Sequence, residues 1–243
     1  VDTLRVNFGG FIPISTVDWP GRAVCTVFFR GCPVRCSYCQ NATILNGEDF
    51  RDTEEILALI KESSLLISGV VFSGGEPTMQ QEPLISLARA ARAIQLGTAI
   101  HTNGVFPAAV SALLTHGLID RVALDIKARW ERYDNLLKYP CVDAVRETLA
   151  LCREAKSKGE LPEFEVVVTL FRGYEDEVPV IAKEAGDVDL VLQQGVVGTV
   201  PPLSEGEMRQ IGDRLGRMIK IRTREGGEVV YEGSRDRWAA RER

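Results

Sequence analysis

Residues 23–41 read Ala23-Val24-Cys25-Thr26-Val27-Phe28-Phe29-Arg30-Gly31-Cys32-Pro33-Val34-Arg35-Cys36-Ser37-Tyr38-Cys39-Gln40-Asn41. The first seven form a nearly continuous β-prone run. Such a run predicts a strand covered on both faces, as in a parallel sheet. It feeds at once into a loop carrying Cys32, Cys36 and Cys39, spaced C-x3-C-x2-C. Thiols this close, among Gly31, Pro33 and Arg35, suit a soft metal or an iron–sulfur cluster. Three thiolates leave one position of a four-iron cluster without a protein ligand, and an open position is where a substrate binds. The loop is read as the holder of one [4Fe–4S] cluster with one reactive iron. Two plainer readings compete: a Cys3His zinc site completed by His101 or His116, and inert core thiols. Neither histidine lies in a Cys/His cluster of its own, and the loop is interrupted by Pro33, Arg35 and Ser37.

Downstream, β-prone runs alternate with helical ones. Asp52 opens a helix, with Glu55 at the capping-box position and Ile56, Leu57, Leu59 and Ile60 on the apolar face. Strands are predicted at 69–72, 98–100, 120–124, 164–171 and 188–192. Helices are predicted at 82–96, 107–116, 142–158, 175–185 and 204–218. Residues 219–222 and 229–231 read as short terminal strands. Residues 1–21, with Gly9-Gly10, Pro13 and Asp18-Trp19-Pro20-Gly21, read as a lead-in of turns. Trp130 and Tyr133 fall in a predicted loop, and the charged tail after Gly233 reads as frayed.

Six strands alternating with helices predict an α/β fold with a parallel sheet or barrel. Each unusual polar cluster falls just after a strand: the cysteines, Gly74-Gly75-Glu76, Thr102-Asn103-Gly104, Asp125-Ile126-Lys127 and Gln193-Gln194. In a parallel barrel all strand carboxyl ends open on one face, so these distant clusters are expected on one rim.

Composition narrows the class. The 243 residues are 45% hydrophobic and 26% charged, with a net charge of −5, which is ordinary for a globular chain. The negative balance argues against a broad nucleic-acid surface and makes a nucleic acid the less favoured substrate. No apolar run reaches the ~20 residues that a membrane-spanning helix needs. The first residues carry no signal-peptide core, so no membrane partner and a cytoplasmic setting are expected. There thiols stay reduced, and a tight cysteine cluster binds metal rather than forming disulfides. Cys25, Cys141 and Cys152 show no ligand spacing and read as core or surface thiols.

A rim with Glu76, Asp125, Lys127, the Thr102 hydroxyl and the amides of Asn103, Gln193 and Gln194 matches a zwitterionic amino acid. Carboxylates suit its ammonium, and lysine suits its carboxylate. Gly74-Gly75 allows close approach of backbone to a ligand, and Tyr38 offers a ring or backbone contact to a flat base. Taken singly, Gly-Gly-Glu-Pro is a turn and Asp125 and Lys127 are surface charges. Trp130, Tyr133 and Tyr139 read equally as core residues or as substrate and partner contacts.

The pattern Cys32-x3-Cys36-x-Tyr38-Cys39 resembles the signature of radical S-adenosylmethionine enzymes, whose second mark is Gly-Gly-Glu-Pro, here residues 74–77. Ser15-Thr16-Val17-Asp18-Trp19-Pro20-Gly21, Cys39-Gln40-Asn41, Thr102-Asn103-Gly104 and Leu124-Asp125-Ile126-Lys127 resemble one branch, the activating enzymes of glycyl radical enzymes. Those include the activases of anaerobic ribonucleoside-triphosphate reductase and of pyruvate formate-lyase. The resemblance implies a partial (β/α)6 TIM-like barrel of parallel strands, open on one side, over residues 22–222. The 1–21 lead-in precedes it and a 223–243 C-terminal extension follows. It further implies that Cys32, Cys36 and Cys39 hold the cluster and that S-adenosylmethionine chelates the open iron. Glu76, Thr102 and Asp125 would hold the cofactor's amino group and Lys127 its carboxylate or ribose. Tyr38 and Val168 would flank adenine, with Gly74, Gly75, Asn103 and Gln193 completing the set. Reductive cleavage would give methionine and a 5′-deoxyadenosyl radical, which takes a hydrogen atom from a substrate. In the activase branch that substrate is a backbone glycine of a partner glycyl radical enzyme, with ferredoxin or flavodoxin as electron donor.

Some positions depart from the branch. Gln40 follows the third cysteine, where these activases often have His. His101 and Ala123 stand where a pyruvate formate-lyase activase has an Asp and a Met at a monovalent-cation site, of which only Asp125 carries over. No cysteine lies between Cys39 and Cys141, so no inserted domain with further clusters is expected. The competing readings are a radical enzyme acting on a tRNA base, nucleoside or peptide and, more remotely, a non-catalytic iron–sulfur or zinc protein.

Overall fold

The computed structural model describes residues 4–233; the tail beyond Gly233 lies outside the described residues. The strands are β1 (Arg5–Ser15), β2 (Val24–Phe29), β3 (Phe50–Asp52), β4 (Gly69–Gly74), β5 (Gly97–Thr102), β6 (Arg121–Asp125), β7 (Glu163–Leu170), β8 (Asp189–Gln194), β9 (Ile219–Thr223) and β10 (Gly227–Tyr231). The helices are α1 (Thr53–Ser63), α2 (Gln81–Ala93), α3 (Pro107–Thr115), α4 (Trp130–Leu137), α5 (Val142–Ser157), α6 (Glu177–Ala185) and α7 (Glu205–Leu215). Two compact units are present. Among the described residues, one comprises residues 4–124 together with Leu137–Phe164, and the other Asp125–Leu136 together with residues 165–233.

In the first unit the strand order is β3-β1-β2-β4-β5-β6. Strands β2, β4, β5 and β6 are parallel, while β1 runs antiparallel to both β2 and β3. Val24, Cys25, Thr26, Val27 and Phe29 are buried, as are Val70, Val71 and Phe72 of β4. The continuous apolar runs of β2 and β4 are thus explained by cover on both faces. In the second unit β7, β8 and β9 are parallel and β10 returns antiparallel to β9. Neither set of strands closes on itself. The α/β fold with a mostly parallel sheet is the one the alternation predicts, and the open side is the one the family resemblance implies. Among the described residues no helix is long and apolar enough to cross a membrane.

Three local expectations are corrected. Residues 5–15 are not turns but an eleven-residue strand, β1. Its Gly9-Gly10 marks a register irregularity between Phe8 and Gly10, where a Cβ on Gly9 would come within 3.0 Å of the Phe28 carbonyl oxygen. Glycine inside a strand commonly marks such a bulge, and Pro13 is tolerated on an exposed stretch that pairs on one side. The Trp130–Tyr133 loop is helix α4; Trp130 and Tyr133 are buried, 5.3 Å apart between ring centroids. Asp52 stands at the N-cap of α1, but its side chain makes no capping bond. The capping box opens α7 instead: Ser204 Oγ accepts from Glu207 N, and Glu207 Oε2 accepts from Ser204 N at 2.8 Å. This pairing settles both backbone donors at the start of α7.

Candidate active site

Because β2, β4 and β5 are parallel, their carboxyl ends carry the cysteine loop, the Gly-Gly-Glu-Pro turn and Thr102-Asn103 to one side of the first unit. The loop leaves β2 through Gly31, whose φ of +97° suits glycine. Gly31 N donates to Ile44 O at 2.8 Å, and Cys39 N to Cys36 O at 3.2 Å. Two arginines hold the loop's carbonyls. Arg35 donates to the carbonyl oxygens of Cys32 and Val34 and to Asn46 Oδ1. Arg30 donates to those of Phe8, Thr43 and Asn46. Cys32 is buried; Cys36, Tyr38 and Cys39 are half-buried.

The two glycines of the turn have a local reason. A Cβ on Gly74, at φ +123°, would lie 2.3 Å from Phe29 O, and one on Gly75 would lie 2.1 Å from Gly31 O. The close approach they permit is to the chain's own backbone at the start of the cysteine loop. Gly75 N donates to Phe29 O at 2.8 Å and Glu76 N to Gly31 O at 2.9 Å, while Asn41 Nδ2 donates to Gly74 O at 2.9 Å. Turn and loop are therefore stitched together.

Glu76 is fully buried. Its Oε1 accepts from Thr78 N at 3.0 Å, from Thr78 Oγ1 and from Thr102 Oγ1 at 2.7 Å; its Oε2 accepts from Asn103 N at 2.7 Å. Four donors match the roughly four lone-pair sites of a carboxylate. Burial pushes its pKa up, and the donors from Thr78, Asn103 and Thr102 oppose that push without cancelling it. The side chain assigned from sequence to a ligand's ammonium group also organises the protein here, joining β4 to β5. Asn103 in turn donates from Nδ2 to Cys32 Sγ at 3.5 Å.

The remaining sequence-selected residues lie in the second unit. Lys127 Nζ donates to Asp125 Oδ2 at 3.0 Å, and Tyr133 Oη to Asp125 O at 3.3 Å. The two charges expected to meet a ligand's two ends pair with each other. Val168 is buried in β7. Gln193, half-buried on β8, accepts from Arg222 Nη1 at 3.2 Å; Arg222 also binds Glu165 and Glu228. Gln194 donates to Leu203 O at 2.7 Å.

Among the described residues, no three His, Cys, Asp or Glu side chains form a ligand set for a single ion. A four-iron cluster takes its thiolates on separate irons, and its ligands need not converge on one point. The donor set fits such a group: three thiols on one backbone-anchored loop, with an amide N–H aimed at one sulfur. His101, a candidate zinc ligand, is otherwise engaged: its Nε2 lies 2.9 Å from Asp18 O and 3.2 Å from Arg121 Nη1. Cys25, Cys141 and Cys152 are buried core thiols. Burial pushes the pKa of both Cys25 and Cys152 up to about 12. Sequence reading missed Arg35, Thr78 and Gln80 as supports of this site. Their signal was position: Arg35 lies inside the cysteine motif, Thr78 directly after Gly-Gly-Glu-Pro, and Gln80, which bonds Asn7 and Arg30 O, three residues beyond it.

Residues 26–185 match the family model described as the radical SAM superfamily. A Methanocaldococcus jannaschii protein named as a glycyl-radical enzyme activating enzyme is 35% identical over 136 residues, covering 56% of this chain and 56% of that protein. The pyruvate formate-lyase-activating enzyme of Clostridium pasteurianum is 38% identical over 121 residues, covering 47% of this chain and 49% of its own. A Pyrococcus horikoshii protein named as a GTP 3′,8-cyclase is 27% identical over 167 residues, covering 68% of this chain and 52% of its own. The chain spans about half the length of these curated relatives. Among solved structures, TYW1 with a lysine-pyruvate adduct bound is similar at a TM-score of 0.61 and 16% identity, over 86% of this chain and 80% of that one. At that identity the likeness is one of fold.

Proposed function

The chain belongs to the radical SAM superfamily, and on that premise we propose that it activates a partner enzyme by taking a hydrogen atom from a backbone glycine. When bound at Cys32, Cys36 and Cys39, a [4Fe–4S] cluster would supply one electron for the reductive cleavage of S-adenosylmethionine, and the pair would supply the hydrogen-abstracting chemistry. The chain's own residues hold and shelter these groups. Cys32, Cys36 and Cys39 give three thiolates, ordered by the Arg30 and Arg35 contacts to loop carbonyls. Gly74, Gly75 and Glu76 brace the loop; Glu76 and Thr102 are the candidates for an ammonium group, which would displace one of the donors that the carboxylate now accepts. Asp125 and Lys127 carry the charges suited to the amino and carboxylate ends of the cofactor. Tyr38 is the first unit's candidate for contact with a flat base, and Val168 and Gln193 are the second unit's candidates for the same cofactor. The observation that carries the reading is the three-cysteine loop hydrogen-bonded to the Gly-Gly-Glu-Pro turn. The relatives named as activating enzymes support the glycine substrate, and a ferredoxin or flavodoxin would deliver the electron.

The test is anaerobic reconstitution, then reduction with S-adenosylmethionine present. The expected product is 5′-deoxyadenosine; its absence from protein with full iron and labile sulfide would sink the enzymatic reading. Zinc in place of iron and sulfide would sink the cluster. Incubation with a glycyl radical enzyme should then give a glycyl radical doublet in electron paramagnetic resonance. The GTP 3′,8-cyclase relative, which matches more of this chain than the activases do, favours a nucleotide substrate as the second reading. It gains if 5′-deoxyadenosine forms, no doublet appears, and deuterium moves from labelled nucleotide into the product.

A further inference from the structure

Asn103 is held on three sides. Its backbone N donates to Glu76 Oε2 at 2.7 Å, its Oδ1 accepts from Val105 N at 3.1 Å, and its Nδ2 reaches Cys32 Sγ at 3.5 Å. The Val105 contact fixes which end of the amide is which, because only the oxygen can accept from a backbone N–H. Nitrogen therefore faces sulfur. Both residues are nearly sealed, with Asn103 5% and Cys32 7% exposed, so water does not compete well for either. On the backbone side, Arg35 donates to the Cys32 carbonyl.

We infer that Asn103 is a positioning residue that sets the reduction potential of the cluster through the Cys32 thiolate. This rests on the reading that Cys32, Cys36 and Cys39 hold a four-iron cluster. A hydrogen bond to a coordinating sulfur draws electron density away from the metal. It strengthens when an added electron raises the charge on that sulfur, so it favours the reduced state and raises the potential. The sequence reading placed Asn103 among the cofactor contacts; the geometry adds a contact of its amide with the protein's own thiol.

The test compares the reconstituted wild type with Asn103→Ala and Asn103→Asp. The aspartate variant keeps the shape and the acceptor for Val105 N but has no N–H for the sulfur. Iron and labile sulfide are measured first, then the midpoint potential by redox titration with electron paramagnetic resonance. Both variants should carry the wild-type iron and sulfide and be harder to reduce. The expected change is roughly tenfold in the reduction equilibrium, about 59 mV for one electron, and larger for the aspartate. Equal potentials at equal iron content overturn the role of Asn103 and leave the cluster reading intact. Loss of cluster from both variants also overturns it, since the inferred role is to tune the cluster rather than to retain it. A wild type that takes up no iron and sulfide overturns the cluster reading itself.

Discussion

A Cβ on Gly75 would lie 2.1 Å from the carbonyl oxygen of Gly31. No side chain fits between the turn and the cysteine loop without moving one of them. Gly75→Ala should therefore destabilise the fold by about 1–3 kcal/mol, the usual range for overpacking, and lower iron uptake on reconstitution. Urea unfolding and iron analysis check both. An unchanged midpoint would mean that the turn can slide off the loop.

Glu76→Gln keeps the size of the side chain but replaces one oxygen with a donor. Four donors from Thr78, Thr102 and Asn103 point at the carboxylate, and at least one of them would then face another donor. A buried donor left unmet costs about 1–3 kcal/mol. The variant should lose that much stability before any ligand is added. A residue serving ligand binding alone would lose affinity and keep its unfolding midpoint.

The six cysteines should divide by environment. Replacing Cys32, Cys36 or Cys39 with Ala should abolish or sharply reduce iron and sulfide content, whereas Cys152→Ala should leave it at the wild-type level. In the folded apoprotein at pH 7.5, iodoacetamide should label Cys36 and Cys39, which are half-buried, and spare Cys25 and Cys152. Those two are neutral there, with pKa values of about 12, and the thiolate is the reacting form. Peptide mass mapping separates the classes.

Glu177, nearly buried, carries a pH-dependent part of the stability. Burial raises its pKa, but the Arg129 backbone N–H at 2.8 Å and the Arg129 and Arg132 guanidinium groups outweigh that and hold it below its ordinary 4.5. A carboxylate whose folded pKa is depressed contributes stability above its unfolded pKa and loses it as pH falls through the folded value. Both arginines are partly exposed, which screens the pair. Glu177→Gln should cost on the order of 1–2 kcal/mol at pH 7, and the gap should narrow as pH drops below 4.5. A gap that is constant with pH would assign the loss to packing.

The parallel core was legible because β2 and β4 carry nearly continuous apolar runs, broken only by Thr26 and Ser73, a pattern that a half-exposed strand with alternating residues does not produce. The cysteine loop was legible from spacing alone. Strand β1 was hidden because Gly9, Gly10 and Pro13 carry turn chemistry, and their use at a bulge and an exposed edge depends on partners distant in sequence. Helix α4 was hidden by its eight-residue length. At the site, the sequence marked Glu76, Thr102 and Asn103 but not that they bind one another. Such contacts arise from the register of β4 against β5, which no local pattern encodes.

Gln80 pairs through its side-chain amide with both the N–H and the C=O of Asn7, at 2.7 and 3.1 Å, and with Arg30 O at 2.9 Å. It acts as a detached peptide unit between β1 and the start of the cysteine loop. With Arg30, Arg35 and Asn41, it gives the loop an ordered scaffold made of protein contacts alone. Gln80 and Asn41 each join the loop to another segment, so their hydrogen bonds tie its position to β1 and to the Gly-Gly-Glu-Pro turn. A substitution on β1, far from the cysteines in sequence, would then be felt at the loop, and iron uptake would report on that strand as well as on the thiols.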